Sequence, residues 1–179
     1  MLPEWFDLLG VMRWPLAFCA VLSLTICLER LVFMAGCAAR GRAHLDRLTE
    51  QLTRCKHQPK QVRDDAVAMM LDDIRRAYLA GVDFLRVIGA VSPLLGLLGT
   101  IFGVIAAFRV IAAHTGPVSP NMIAAGLWEA LLTTAAGLLI ALPTLLLAHG
   151  FRFFGERQID AMRGEMNRRS MALELEAKA

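Results

Sequence analysis

The chain has 179 residues, 56% of them hydrophobic, a mean hydropathy of +0.52 and a formal net charge of +3. That is too apolar for an ordinary soluble domain. The small basic excess does not point to a nucleic-acid patch, because Lys and Arg cluster where inserted proteins keep them, at the cytoplasmic ends of their spans.

The N-terminal stretch Pro3–Met12 reads as a short interfacial helix. Trp5, Phe6, Leu8, Leu9 and Met12 are apolar and Trp14 follows, a pattern suited to the headgroup level. Glu4 and Asp7 and the lack of a basic n-region speak against a secretory signal. A first membrane span follows at about residues 14–39, long enough for the roughly 20 apolar residues a bilayer requires. It carries Glu29–Arg30 toward its end, where the two are expected to form a structural charge pair.

Residues 40–86 form a helical connector. Leu45, Leu48, Leu52 and Cys55 make one stripe, Gln58–Pro59 breaks it, and Val62, Ala66, Met69, Met70 and Ile74 make a second that runs on toward the next span. Asp72, Asp73, Arg75 and Arg76 occupy the opposite face. The second span, about 87–112, is uncharged from Val87 to Phe108, with Arg109 just past that stretch. A tight turn over 114–121 leads to the third span, about 121–150. Ser119 is suited to cap the third helix, with Pro120 at its first position. Pro93 and Pro143 each remove a backbone bond, which a helix bundle tolerates. In the tail, 151–179, Ile159, Met162, Met166 and Leu173 recur at helical spacing. There are no internal repeats or low-complexity linkers. The expectation is one domain, 1–179: an all-α integral membrane protein of three spans extended by cytoplasmic helices.

Orientation follows from the basic residues. The stretch Arg40–Arg86 holds ten of the 19, and the tail from Gly150 holds six. By the positive-inside rule, connector and C-terminus are cytoplasmic, while the N-terminus and the 114–121 turn are outside. Three spans require opposite sides for the termini, so the assignment is self-consistent. Cys19, Cys27, Cys37 and Cys55 form no CxxC pair and read as small apolar fillers. His44, His57, His114 and His149 show no ligand spacing, so neither a metal nor another cofactor is expected.

Glu129 is the most informative side chain. From Asn121 to Gly150 the only other ionisable group is His149. A charge at that depth costs about 3 kcal/mol or more on insertion scales unless it meets water or a polar partner. Thr133 is one turn on and nearly on the same face, and Thr134 is turned farther round. In the second span Gly96, Gly99 and Gly103 lie near one face, with Thr100 beside them. In the third, Gly126, Ala130, Thr133, Gly137 and Ala141 line another. Small residues at these spacings let helix backbones approach closely in lipid, and close packing alone accounts for the glycines. Hydroxyls beside a carboxylate line a hydrated path, or bond back to their own helix.

Gly96-Leu-Leu-Gly-Thr-Ile-Phe-Gly103, followed by Gly126-Leu-Trp-Glu-Ala-Leu-Leu-Thr-Thr-Ala-Ala-Gly-Leu138, resembles the ExbB/TolQ/MotA proton-channel family, and Leu28-Glu-Arg-Leu31 is similar to it too. The resemblance covers most of the chain and is strongest from Ser92 to Leu147. It implies a stator-type subunit of the bacterial inner membrane, in a pentameric ring around the single spans of an ExbD-like or TolR-like partner. Proton flow then drives work on a periplasmic or outer-membrane target through a TonB-like protein. The proton-path residues implied are Glu129, Thr134 and Thr100. Thr133 stands where relatives often have a small apolar residue. Gly96, Gly99, Gly103, Gly126, Ala130 and Gly137 are expected at packing or oligomer interfaces. The short connector lacks the large cytoplasmic domain of the flagellar branch, which favours an ExbB-like or a TolQ-like reading; of these two the resemblance is taken as nearer ExbB. In the family the shuttling acid is an Asp on the partner's span, so Glu129 shapes the path with or without carrying each proton. Two other classes compete: a non-conducting membrane scaffold in which Glu129 pairs with a partner cation, and an intramembrane enzyme, for which no nucleophile–base set, phosphate loop or metal spacing exists.

Overall fold

The computed structural model describes residues 12–55, 58–113, 116 and 119–176. The expected interfacial helix at Pro3–Met12 lies, apart from Met12, outside them. The described residues are helical apart from short turns: α1 (Arg13–Ala35), α2 (Cys37–Arg54), α3 (Lys60–Leu79), α4 (Val82–Ala113) and α5 (Pro120–Glu176). Among them, three helical stretches are long and apolar enough to cross a membrane: Arg13–Ala35, the stretch Lys60–Ala113, whose apolar part is in α4, and Leu127–Leu175. The chain is therefore a multi-pass membrane protein. The 57 residues of α5 rise about 85 Å at 1.5 Å each, far beyond the ~30 Å hydrocarbon core, so the helix continues well outside the bilayer.

Boundaries depart from the sequence pattern at two glycines. The first span ends at Ala35, short of the expected residue 39, because the chain turns at Gly36. The second connector helix does not run into the second span. It stops at Leu79, and Ala80–Gly81 turns the chain, with Gly81 at φ 73°, a left-handed value that glycine alone adopts cheaply. The break at Gln58–Pro59 falls between α2 and α3, and α5 begins at Pro120.

The chain divides into two compact units. One comprises residues up to Cys27 and Phe84–Ala148; the other comprises Leu28–Asp83 and His149–Ala179. The second has a conventional apolar core. Leu48, Leu52, Val67, Leu71, Tyr78, Ile159, Met162 and Met166 are buried together, with Leu45, Met70, Ile74 and Leu173 packed around them. Burial of each large side chain contributes about 1.5–3 kcal/mol. The inward face of α3 is Val67, Leu71 and Tyr78; Val62 and Met69, expected on it, are 49% and 71% exposed. Apolar residues surround α3 on several sides, so its period alone cannot select the inward face.

Polar contacts fasten this unit. Arg63, 3% exposed, donates from Nη2 to the Ser170 carbonyl at 3.3 Å and to Glu174 at 3.4 Å, while the Ser170 hydroxyl donates to Asp64 at 2.6 Å. Arg75 donates to both carboxylate oxygens of Glu156, at 2.7 and 3.3 Å. That hydrogen-bonded pair holds the Glu156 carboxyl below, and the Arg75 guanidinium above, their ordinary values.

Candidate functional site

The first unit is organised by small residues. On α4 they fall at Gly89, Ser92, Gly96, Gly99 and Gly103, alternating steps of three and four. On α5 the buried positions Ala130, Thr133, Gly137, Ala141, Thr144 and Ala148 are likewise spaced by three or four residues. The two faces meet antiparallel. A Cβ built on Gly103 falls 2.8 Å from Cβ of Ala130, and one on Gly99 falls 2.6 Å from Thr133 Oγ1. A Cβ on Gly96 falls 3.0 Å from the Thr133 carbonyl oxygen, and one on Gly137 falls 2.6 Å from the Ser92 carbonyl oxygen. The backbones are therefore as close as glycine permits. The faces expected to serve packing or a neighbouring copy are used within one chain, closing α4 on α5. Gly126 lies in the first two turns of α5, ahead of this contact. Ser92, 0% exposed, and Gly89 belong to the face but are not singled out by a reading that starts at Gly96. Extending the three–four rhythm one heptad upstream identifies both.

The threonines sit in the same seam. Thr134 Oγ1 donates to the Gly96 carbonyl at 3.0 Å, bridging the helices. Thr133 Oγ1, from a residue 3% exposed, donates to Ala130 O at 2.7 Å and lies 3.5 Å from Gly96 O. Thr100 Oγ1 donates to Leu97 O at 2.6 Å on its own helix. All three hydroxyl protons thus go to backbone carbonyls, and each oxygen keeps lone pairs that can accept from water. The arrangement gathers Thr133 and Thr134 at Gly96 and leaves Thr100 one turn farther along α4.

Glu129 immediately precedes the tight contact at Ala130. It is half-buried, and no hydrogen bond or ion pair joins it to another described residue. Its helix face continues through Leu132, Ala136 and Ile140, which pack with Leu95 around Met12 and Leu16. Glu129 therefore lies one turn from Leu132 of that apolar cluster and one turn from Thr133.

Glu29 and Arg30 belong to the second unit. Arg30 forks onto Glu29 at 2.8 and 3.0 Å, donates to the Ala77 carbonyl at 3.0 Å and covers the Phe33 ring at 5.0 Å, with Phe33 edge-on to Tyr78. Arg30 is 6% exposed, and its charge is met by a carboxylate, a helix-end carbonyl and a π face. The pair fastens the end of α3.

A signature of the MotA/TolQ/ExbB proton channel family matches residues 39–164, well over half of the chain. The chain is 34% identical to biopolymer transport protein exbB1 of Vibrio cholerae over 93% of its own length and 86% of that protein's. It is 30% identical to the putative biopolymer transport protein ExbB-like 1 of Synechocystis, covering 84% and 70% of the two. To the ExbB of Salmonella typhimurium it is 41% identical over 71 residues, 40% of this chain and 29% of that one.

Proposed function

The chain belongs to the MotA/TolQ/ExbB proton channel family, and from that premise we propose that it is the ExbB-like stator subunit of a proton-driven complex in the bacterial inner membrane. It works with an ExbD-like single-span partner to energise a TonB-like protein and thereby transport across the outer membrane. The observation that carries this reading is Glu129: an intramembrane carboxyl, half-buried, with no ion-pair partner among the described residues, one turn from the Thr133–Thr134–Gly96 seam.

A single copy is too small to enclose a path. Its small-residue faces are used up between α4 and α5, while large apolar side chains such as Leu94, Leu97, Ile101, Trp128, Leu131 and Leu142 remain 49–65% exposed. These suit lipid and neighbouring copies. We assign a ring of identical subunits, pentameric as the family implies, with α4 and the first half of α5 inside, α1 outside and the partner span at the centre. No chemistry of an enzyme is assigned to the chain.

The test is proton flux. Vesicles holding this protein with its single-span partner are expected to acidify under an inside-negative potential, measured with an internal pH dye. Flux no greater than in protein-free vesicles identifies a scaffold instead.

Topology is tested separately. A reporter active only outside the cytoplasm is expected to be silent when fused at Gln58 and active when fused in the 114–121 turn. The reverse pattern overturns the cytoplasmic assignment of connector and tail.

A further inference from the structure

A cavity of about 490 Å³ opens at the joint between α3 and α4. That is within the ~300–1,000 Å³ range of small-molecule sites. Asp72, Arg75 and Arg76 line it from the last turns of α3, Gly81 and Asp83 from the joint and the start of α4, and Arg152 from α5. The left-handed turn at Gly81 stops α3 from continuing straight and leaves the space.

The cavity lies at headgroup level by two independent counts. The uncharged part of α4 begins at Val87, about 6 Å of helix beyond Asp83. The apolar run of α5 ends at Gly150, two residues before Arg152. Arg152 Nη1 and Asp83 Oδ1 are 3.9 Å apart, so both runs end at the same depth. The polar zone on each side of the hydrocarbon is about 5–7 Å thick, which includes this level.

The charges select the ligand. Arg75 is taken by its fork onto Glu156. Arg152 lies 3.9 Å from a carboxylate oxygen of Asp83 and 3.9 Å from one of Glu156, too far for a hydrogen bond to either. No hydrogen bond or ion pair joins Arg76 or Asp72 to another described residue, and both are exposed. The cavity thus offers guanidiniums with donors to spare beside the Asp72 carboxylate, with acceptors to spare. A purely anionic group gains the arginines but meets repulsion from Asp72 and Asp83. A trimethylammonium headgroup has no N–H for a carboxylate.

We propose that this cavity seats a phospholipid headgroup bearing a primary ammonium next to its phosphodiester, the chemistry of phosphatidylethanolamine. Arg76 and Arg152 hold the phosphate oxygens, for which the guanidinium fork is suited, and Asp72 accepts from the ammonium. The bound lipid ties the α3–α4 joint to the membrane surface. The site depends on the protein's being embedded in a membrane, and not on proton conduction or on Glu129, so its failure leaves the channel reading untouched.

The test is native mass spectrometry of the full chain in detergent, with phosphatidylethanolamine, phosphatidylcholine and phosphatidylglycerol added in equal amounts. Phosphatidylethanolamine adducts are expected to dominate. Arg76→Gln should lower their retention by about tenfold, the effect of losing a charged hydrogen bond. Asp72→Asn should abolish the preference for phosphatidylethanolamine over phosphatidylcholine, and Arg157→Gln, an exposed arginine elsewhere on α5, should change nothing. Preference for phosphatidylglycerol identifies an anion site and overturns the assignment. Equal retention of all three lipids overturns it as well. So does a loss of oligomer mass on Arg76→Gln, which marks the surface as covered by a second copy.

Discussion

Glu129→Gln is expected to reduce proton flux, and with it all energy-dependent function, to background while the protein inserts and folds normally. Glutamine keeps the size and hydrogen-bonding outline of the side chain and removes only its ability to alternate between charged and neutral forms. Because Glu129 makes no ion pair among the described residues, its replacement strands no buried partner charge. Insertion should become easier, since a charge at membrane depth costs about 3 kcal/mol on insertion scales. The predicted phenotype is thus a stable, correctly inserted, non-conducting subunit. Glu129→Asp, which keeps the carboxyl but withdraws it by one methylene, should retain partial flux. The measurement pairs vesicle acidification with the amount of protein in the membrane fraction. A glutamine variant that conducts like the parent shows that the carboxyl is not needed and returns Glu129 to a packing or partner-docking role. Loss of protein from the membrane shows instead that the residue is structural.

Different parts of the chain were legible to different degrees, and for physical reasons. Hydropathy located three spans because a bilayer imposes a length of about 20 residues that few other environments do. Pro59 and Pro120 marked helix boundaries because proline lacks an N–H, an effect that is local. The ends at Gly36 and Gly81 were not legible, because glycine is equally at home inside a close-packed membrane helix such as α4. The face of α3 was legible only in part for a related reason: Met70 and Ile74 pack on the core, but Val62, Met69 and Leu71 are all apolar, and the choice among them is made by distant α5 residues such as Ile159 and Met166. The long-range fastenings of Arg63 to Ser170 and Arg75 to Glu156 have no signal in a single sequence, since sequence separations of 107 and 81 residues carry no periodicity. For the candidate site, Glu129 stood out because an isolated ionisable residue in an apolar run is costly. The destination of the threonine hydroxyls did not, since the same spacing serves a path and a helix seam. Thr134 on Gly96 is a tertiary bond, visible only once α4 and α5 are brought together.

Gly137→Leu is expected to pull α4 and α5 apart and to be the most destabilising single change in the membrane unit. Even the first added carbon has no room. A Cβ at Gly137 falls 2.6 Å from the Ser92 carbonyl oxygen and 3.1 Å from Gly96 Cα. Both are backbone atoms of the facing helix, so no side-chain rotation relieves the clash and the helices themselves must separate. Overpacking of this kind costs about 1–3 kcal/mol, and leucine adds three further carbons. Separation also weakens the Thr134-to-Gly96 hydrogen bond, worth about 0.6–2 kcal/mol between membrane helices. Two comparisons isolate the cause. Gly164→Ala, at a glycine with nothing within 4 Å, should be neutral or raise stability by up to about 1 kcal/mol through helix propensity. Gly89→Ala meets the Leu145 side chain at 2.6 Å, so truncating Leu145 to alanine should relieve it, whereas no side-chain truncation should relieve Gly137→Ala. Thermal unfolding in detergent, followed by helical circular dichroism, gives the stability order. Because Glu129 and the threonines depend on the α4–α5 seam for their spacing, flux should fall with the midpoint. A Gly137→Leu protein that melts and conducts like the parent would show that these helices are not packed backbone to backbone here.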